Sequence, residues 1–597
     1  MKNTKLMGAA SLIAVAALGL SACAGSSSNP GTGGSGASGG SSSGGTTKAS
    51  FNAALNAVYN PSTKTGGTLK FADDAQPDST DPGDTYYGYM WDFVRLYGRA
   101  LTMFKPVPGQ ASSELVGDLA EGKGTSPDKG KTWTYKLRSG LKFEDGTPIT
   151  SKDVKYAVER QYDKTVFPDG PTYLNDMLNW PAGYKGVYQS KGVNTDSAIT
   201  TPDDTTITFH LKSAFSGFDY VAMTPQVIPV EQAKDTGAKY KEHPISSGPY
   251  MFKEGSYVEG KGYTLVRNPN WSKATDPNRP ALVDEIDMQF NQNAEDIDNR
   301  IIAGDLDVHV TGTGVTSATQ SRVLTTPDLK ARADNPTIAR LWYVSIPSTV
   351  KPFDNKDCRI AVQYAMDRTS YQTAYGGQFT GGQMATTLLP PMIPGYQKFD
   401  LYPTPGNKGD VTKAKAELAK CGKPGGFTTN MGYRAERPKE KAVAEAFQQA
   451  LAKVGITVNL KGFPKKDYFS TYCGNPPYVV KNDLGLCVNG WGADWNDGYG
   501  FLAQIVDSRV IRDTGGSSNI SVRNPAVDKL LDQAQNELDV SKRNAIWGQI
   551  DKMVMEDATI YPGVYANALL LRGKNLTNVF INQQFGYYDY VALGKSS

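Results

Sequence analysis

The residues of this 597-residue chain best equipped for chemistry are five cysteines, three histidines and one dense group of tyrosines. His210, His243 and His309 lie far apart, so a histidine-built metal or catalytic centre would need folding to gather them, and no resident metal or cofactor is expected. Cys358, Cys421, Cys473 and Cys487 form an even set with three possible pairings. No C-x-x-C spacing supports a zinc or thioredoxin-type reading. In an oxidising compartment the expected bridges are Cys473–Cys487, which brackets a short Asn-Pro-Pro loop, and Cys358–Cys421; four buried free thiols are the alternative. Each bridge would contribute on the order of 3 kcal/mol by restricting the unfolded chain. Gly36-Ala37-Ser38-Gly39-Gly40 matches G-x-S-x-G but has no strand before it or helix after it, so it carries no hydrolase chemistry. With no H-E-x-x-H and no phosphate loop either, the chain reads as a non-enzyme, with a surface-anchored hydrolase as the remote rival. Tyr86, Tyr87, Tyr89 and Trp91 cluster ahead of Tyr97. Such rings can wall a pocket while their hydroxyls reach polar ligand groups, although each could equally be core.

The amino-terminal residues read as an address. Lys2 and Lys5 precede an apolar run from Leu6 to Leu20, about five residues too short to span a bilayer, as in a signal peptide. Leu20-Ser21-Ala22-Cys23 resembles the bacterial lipobox, so residues 1–22 are expected to be removed and Cys23 lipidated. Residues 23–49 would then be the lipidated cysteine and a Gly/Ser tether with a root-mean-square reach of roughly 27 Å. This implies a protein lipid-anchored at the extracytoplasmic face of the cell membrane, with more than one acyl chain because a single one holds only marginally. The balance of 63 basic against 60 acidic residues gives a net charge of +3, which argues against a nucleic-acid partner. Aromatics at 10% argue against disorder.

The elements that must position these residues are α/β. Trp133, Tyr135 and Leu137 alternate with polar neighbours, as do Ile207 and Phe209, the period of half-buried strands. Ser151 is the expected cap of a helix carrying Val154, Ala157 and Val158. Phe427–Tyr433 predicts a strand, Val443, Phe447, Ala450, Leu451 and Val454 a helix ended by Gly455, and Ile456, Val458 and Leu460 another strand. Asn524-Pro525 should open a helix bearing Val527, Leu530, Leu531, Ala534 and Leu538, followed by one with Ile546, Ile550, Met553 and Val554. No repeat and no second linker divides the body.

Six ordered blocks carry a resemblance. Leu115–Glu121 leads into Thr132–Arg138, Gly140–Pro148 and Ser151–Val154; then come Ser247-Gly248-Pro249-Tyr250, Arg267–Trp271, Ala303–Asp307, Asp357–Ala361 with Ala365–Arg368, and Gly490-Trp491-Gly492-Ala493-Asp494-Trp495. The sequence resembles family 5 extracellular solute-binding proteins of ABC importers, the oligopeptide, dipeptide and nickel receptors. In style it is similar to lipoproteins of high-GC Gram-positive bacteria, including BldK-type importers. The resemblance implies an α/β, type II periplasmic-binding-protein fold (cluster C) with two main lobes and an extra lobe. Lobe I would comprise 50–98 with 213–340 and 562–597, lobe II 99–212 and lobe III 341–561. Such a monomer closes like a hinged clamp on its ligand and presents it to an ABC permease.

By that resemblance Asp494 anchors the α-amino group of a peptide. Trp491 and Trp495 furnish apolar walls, and the backbone around Asn489 and Gly490 offers strand-type hydrogen bonds. Tyr86, Tyr87 and Trp91 join them near the expected passage between lobes I and II. Some oligopeptide receptors carry an arginine just before this motif that helps bind a ligand carboxylate; here that stretch reads Leu486-Cys487-Val488-Asn489, which would favour longer peptides over dipeptides. An oligosaccharide stacked on aromatics is the main rival ligand, and a nickel chelate is disfavoured by the scarcity of histidine.

Overall fold

The alternating segments do form strands. In the computed structural model, which describes residues 49–537 and 539–596, Thr132–Lys136 pairs antiparallel with Thr206–His210 and turns Trp133 and Tyr135 inward. Ile199–Asp203 completes this three-stranded sheet. Helix Ser151–Gln161 packs on it, capped one residue earlier than expected. Thr150 is the N-cap; its backbone N–H and its hydroxyl both donate to Asp153 Oδ2, at 2.7 and 2.8 Å, while the Ser151 hydroxyl donates instead to Asp203 O. The signal segment, Cys23, the tether with its Gly36–Gly40 motif, and Leu538 lie outside the described residues.

A second sheet runs Val308–His309, Thr68–Ala72, Glu285–Gln289, Gly262–Arg267, Tyr250–Phe252, with the first two pairings parallel and the last two antiparallel. The third and largest has the order Gly382–Met384, Ile560–Asn567, Thr337–Ser345, Leu486–Gly492, Thr428–Arg434, Thr457–Phe463. Its α/β unit is the one the sequence predicts: helix Pro438–Ala452 buries Val443, Phe447, Ala450 and Leu451 between the parallel strands Thr428–Arg434 and Thr457–Phe463. Gly455, at φ +91°, makes the left-handed turn between them; a Cβ there would stand 2.8 Å from Gly425 O. Asn524 caps helix Pro525–Asn536 through Ala526 N–H.

Of the two expected disulfides, Cys358–Cys421 is formed, tying helix Lys356–Ala365 to the end of helix Val411–Lys420. Cys473–Cys487 is not: both are buried free thiols. The two thiols nonetheless meet in one buried cluster, Cys473 ahead of helix Pro476–Lys481 and Cys487 in a strand, so the fold brings the pair together without joining it. Peptide mapping after alkylation of denatured, unreduced protein should recover the 358–421 cross-link and singly alkylated peptides for Cys473 and Cys487. Among the described residues no helix is long and apolar enough to cross a membrane, and no group of histidine, cysteine and carboxylate side chains could hold a metal ion.

Candidate functional site

Strand Leu486–Gly492 carries the site. On one edge it pairs antiparallel with Thr337–Ser345, placing Arg340 opposite Gly492 and Trp342 opposite Gly490. On the other it pairs with Thr428–Arg434 only at Leu486 and Cys487. Beyond Val488, whose carbonyl accepts from Tyr468 OH, that edge has no strand partner among the described residues, leaving the main chain of Gly490 to Gly492 on the wall of a cleft. Gly490 is demanded by packing, since a Cβ would fall 2.0 Å from the Trp342 ring. The backbone then turns, Asp494 N–H donating to Gly500 O at 3.0 Å, and aims the Asp494 carboxyl into the cleft.

Asp494 Oδ2 accepts from the hydroxyls of Tyr86 and Tyr173, each at 2.6 Å. No lysine or arginine nitrogen lies within 4.0 Å of it among the described residues. Burial pushes this carboxyl up to about 7, against the two tyrosine hydrogen bonds that favour its ionised form. Burial and the adjoining carboxylate together push both tyrosine hydroxyls well above their ordinary range, so they stay protonated donors. This is an acid held in an apolar setting, supplied with neutral donors and lacking a cation.

The other expected residues divide. Trp491 lines the cleft, edge-on to Tyr86 at 5.6 Å, with its indole N–H fixed on Phe501 O. Tyr86, Tyr87 and Trp91 line it too, Tyr86 stacked on Trp91 and Tyr87 tied to Lys465 O. Trp495 does not: it is 1% exposed, stacked on Tyr220 at 5.7 Å and packed against Tyr173, because the turn at Asp494 swings it into the core. Asn489 does not line the cleft either: it is buried, its side-chain amide donating to Ser345 Oγ.

Sequence reasoning missed Tyr173, Trp342 and a basic wall. Arg434 and Arg437 share Glu440, with Arg434 Nε at 2.9 Å and Arg437 Nη1 at 3.2 Å from Oε1, and both guanidiniums lie over the Tyr87 ring. Burial opposes the charge on Arg434, but Glu440 beside it holds its pKa well above the ordinary value. The i, i+3 spacing Arg434, Arg437, Glu440 around Pro438 was a readable signal of a charged helix start. Tyr173, 321 positions from Asp494, had none.

Residues 114–512 match the model of the bacterial extracellular solute-binding proteins, family 5 Middle. The chain belongs to that family. Its fold is accordingly the type II periplasmic-binding fold, and solved structures agree. The chain is similar to clavulanic acid biosynthesis oligopeptide binding protein 2, with 40% identity, a TM-score of 0.82, and 92% of this chain and 99% of that one covered. Haemophilus influenzae OppA in complex with RPPGFSPFR, at 19% identity, shares the fold with a TM-score of 0.73 over 89% of this chain and 99% of that one. Among curated proteins, the probable D,D-dipeptide-binding periplasmic protein DdpA of Escherichia coli K12 is 26% identical over 85% of this chain and 90% of its own. The oligopeptide-binding protein OppA of Bacillus subtilis is 25% identical over 86% and 90%.

Proposed function

We propose that this protein is the substrate-binding component of an ABC importer, lipid-anchored through Cys23 at the outer face of the cell membrane. It captures oligopeptides in the cleft and hands them to a membrane permease, and it is not an enzyme. The observation that carries this reading is the Asp494 carboxyl: half-buried on the cleft wall, hydrogen-bonded among the described residues by two neutral hydroxyls alone, and beside a strand edge free to take up an extended main chain. A ligand ammonium would supply the missing positive donor, and the free edge of Gly490–Gly492 would supply strand-type hydrogen bonds common to all peptides. Relatives known as a probable D,D-dipeptide-binding protein and an oligopeptide-binding protein favour the same class. The division into lobes I, II and III is kept as part of this proposal; the sheet with Thr68–Ala72 and the one with Thr132–Lys136 fall within lobes I and II, while the boundaries at 340/341 and 561/562 run through strands Thr337–Ser345 and Ile560–Asn567 of the largest sheet, and ligand would stabilise the closed arrangement by its differential affinity.

A second reading, an oligosaccharide receptor, draws on the aromatic walls Tyr86, Trp91, Trp342 and Trp491. Calorimetric titration of tetra-alanine, its N-acetyl derivative and a neutral oligosaccharide separates the two. The peptide reading expects micromolar or tighter binding of the free peptide and at least a tenfold loss on acetylation. Tight sugar binding with no peptide binding would replace it.

A further inference from the structure

A cavity of about 490 Å³ lies away from the cleft and shares no lining residue with it. That volume falls within the roughly 300–1,000 Å³ common to small-molecule sites. It opens between the outer side of helix Ser151–Gln161 and the chain from 184 to 195. The helix buries Val154, Ala157 and Val158, which leaves Tyr156 and Glu159 half-buried on its other side. These two line the cavity together with Tyr184, Tyr188, Lys191 and Thr195.

The walls are fixed without the cavity being filled. Gly186, at φ +93°, lets the loop come down on Asp163; a Cβ there would stand 2.8 Å from Asp163 Cβ. Ser190 N–H donates to Gly186 O at 2.8 Å, and Gln189 Nε2 donates to Asp163 Oδ2 at 2.8 Å. Tyr184 stacks on Trp180 with ring centroids 5.0 Å apart. The tyrosine hydroxyls are already taken: those of Tyr156 and Tyr188 both donate to Asp235 Oδ2, and that of Tyr184 lies 3.5 Å from Glu159 O. What these side chains can still offer a ligand is ring surface.

Two charged side chains line the cavity, Glu159 and Lys191. Around them, Lys155 is drawn to Asp196 at 2.7 Å, Arg160 to Asp235 at 3.0 Å, and Asp163 accepts from Gln189 and Thr165. Glu159 Oε1 accepts from the Thr195 hydroxyl and has Lys155 Nζ at 3.9 Å, whereas Oε2 receives no hydrogen bond among the described residues. Burial raises this carboxyl above its ordinary value, against Thr195 and Lys155 and with Asp196 adding to the effect. Lys191 is exposed, so water and salt screen its charge. The cavity therefore presents one carboxylate with a free oxygen, walled by three tyrosines.

We propose that this cavity is a second ligand site, for a small organic cation whose ammonium group sits against the tyrosine rings and pairs with Glu159. An ammonium is the group that both features attract, the carboxylate by charge and the rings by their quadrupole. A neutral sugar would instead need the hydroxyl donors that Asp235 already holds. The site takes nothing from the peptide reading and operates beside it.

The test is a ligand-observed NMR titration of the full chain at pH 8 with choline, ethanolamine and 3,3-dimethylbutan-1-ol, the uncharged carbon isostere of choline. Choline or ethanolamine should bind in the millimolar range or tighter, and at least tenfold more tightly than the isostere. Which of the two leads tells whether a quaternary or a primary ammonium is read. Glu159→Gln keeps a carbonyl for Thr195 and should erase the preference, while Asp494→Asn should leave it intact. Should Glu159→Gln fail to fold, Val193→Lys, at an exposed lining position, gives the same check by placing a cation in the mouth, and choline affinity should drop at least fivefold. Absence of binding, equal binding of choline and its isostere, or a preference unchanged in the Glu159 or Val193 variant overturns the inference. A preference lost in Asp494→Asn but kept in Glu159→Gln overturns it as well, because the cation would then lie in the cleft.

Discussion

Asp494→Asn should lower the affinity for a neutral tetrapeptide amide by at least tenfold, with about 2–5 kcal/mol as the usual cost of truncating one partner of a buried, hydrogen-bonded charge pair. The substitution keeps the shape and can still accept from Tyr86 and Tyr173, so what is lost is the charge. The pH profile identifies it further. In the empty cleft the carboxyl titrates at about 7, so below that pH a proton must leave before the ammonium is bound, and affinity should fall by up to tenfold for each pH unit. Above about 8 the ligand amine deprotonates, giving an optimum near pH 7 to 8. Asp494→Asn should lose the acidic limb of this profile and keep the alkaline one.

Stability moves the opposite way. A carboxyl whose folded pKa is raised above its unfolded value favours the folded state at low pH, and that contribution fades as pH rises from about 4 to 7. Ligand-free Asp494→Asn should therefore melt a few degrees above the wild type at pH 8, with the difference shrinking towards pH 4. The predicted trade is that a group costing stability when empty provides affinity when filled. An unchanged affinity and an unchanged pH profile would show that the anchor lies elsewhere and would shift the weight to a neutral ligand.

The parts of this molecule readable from its sequence are those governed by neighbours along the chain. Strand alternation at Trp133 and Tyr135, the helix stripe from Val443 to Leu451 and the Asn524-Pro525 cap are local patterns, and each appears in the structure within a residue or two. Asp494 was legible through a motif and Tyr86 through a local aromatic cluster, whereas Tyr173, the second hydroxyl on the acid, was not. What could not be read depends on the third dimension. Trp495 looked like a wall because Trp491 four residues earlier is one, yet the turn closed by Asp494 N–H and Gly500 O sends the two rings in different directions. Arg340 and Trp342 stand two apart on a strand, so they share a face, but nothing in the sequence says that the face opposes Gly490 and Gly492 and thus opens on the cleft. The cysteines repeat the lesson, for the pair separated by 63 positions is bonded and the pair 14 apart in numbering is not.

Glu440→Gln is expected to destabilise the fold by about 3–5 kcal/mol, the cost of breaking a buried ion pair from one side. Glu440 is 1% exposed and occupies the first turn of helix Pro438–Ala452, where its charge also suits the helix dipole. It accepts from Arg434 Nε and, at 3.1 Å, from the backbone N–H of Arg434, as well as from Arg437, so one carboxylate both pairs with two guanidiniums and closes the strand-to-helix turn. A glutamine can accept some of these bonds but offers no charge, and it leaves two cations at 2% and 6% exposure beside a third, Arg340. The damage should reach the cleft, because Arg434 and Arg437 hold the Tyr87 ring that lines it. Urea denaturation followed by intrinsic fluorescence would register the change as a lowered midpoint, which is the safer readout in a body of several sheets where two-state behaviour need not hold. A midpoint within error of the wild type would mean that the two arginines are stabilised by solvent or by Tyr87 alone, and that this corner of the cleft is not rigid. If instead the loss appears and is partly recovered when Arg437→Met is added, the excess charge left by Glu440→Gln, rather than the missing hydrogen bonds, is what unfolds the turn.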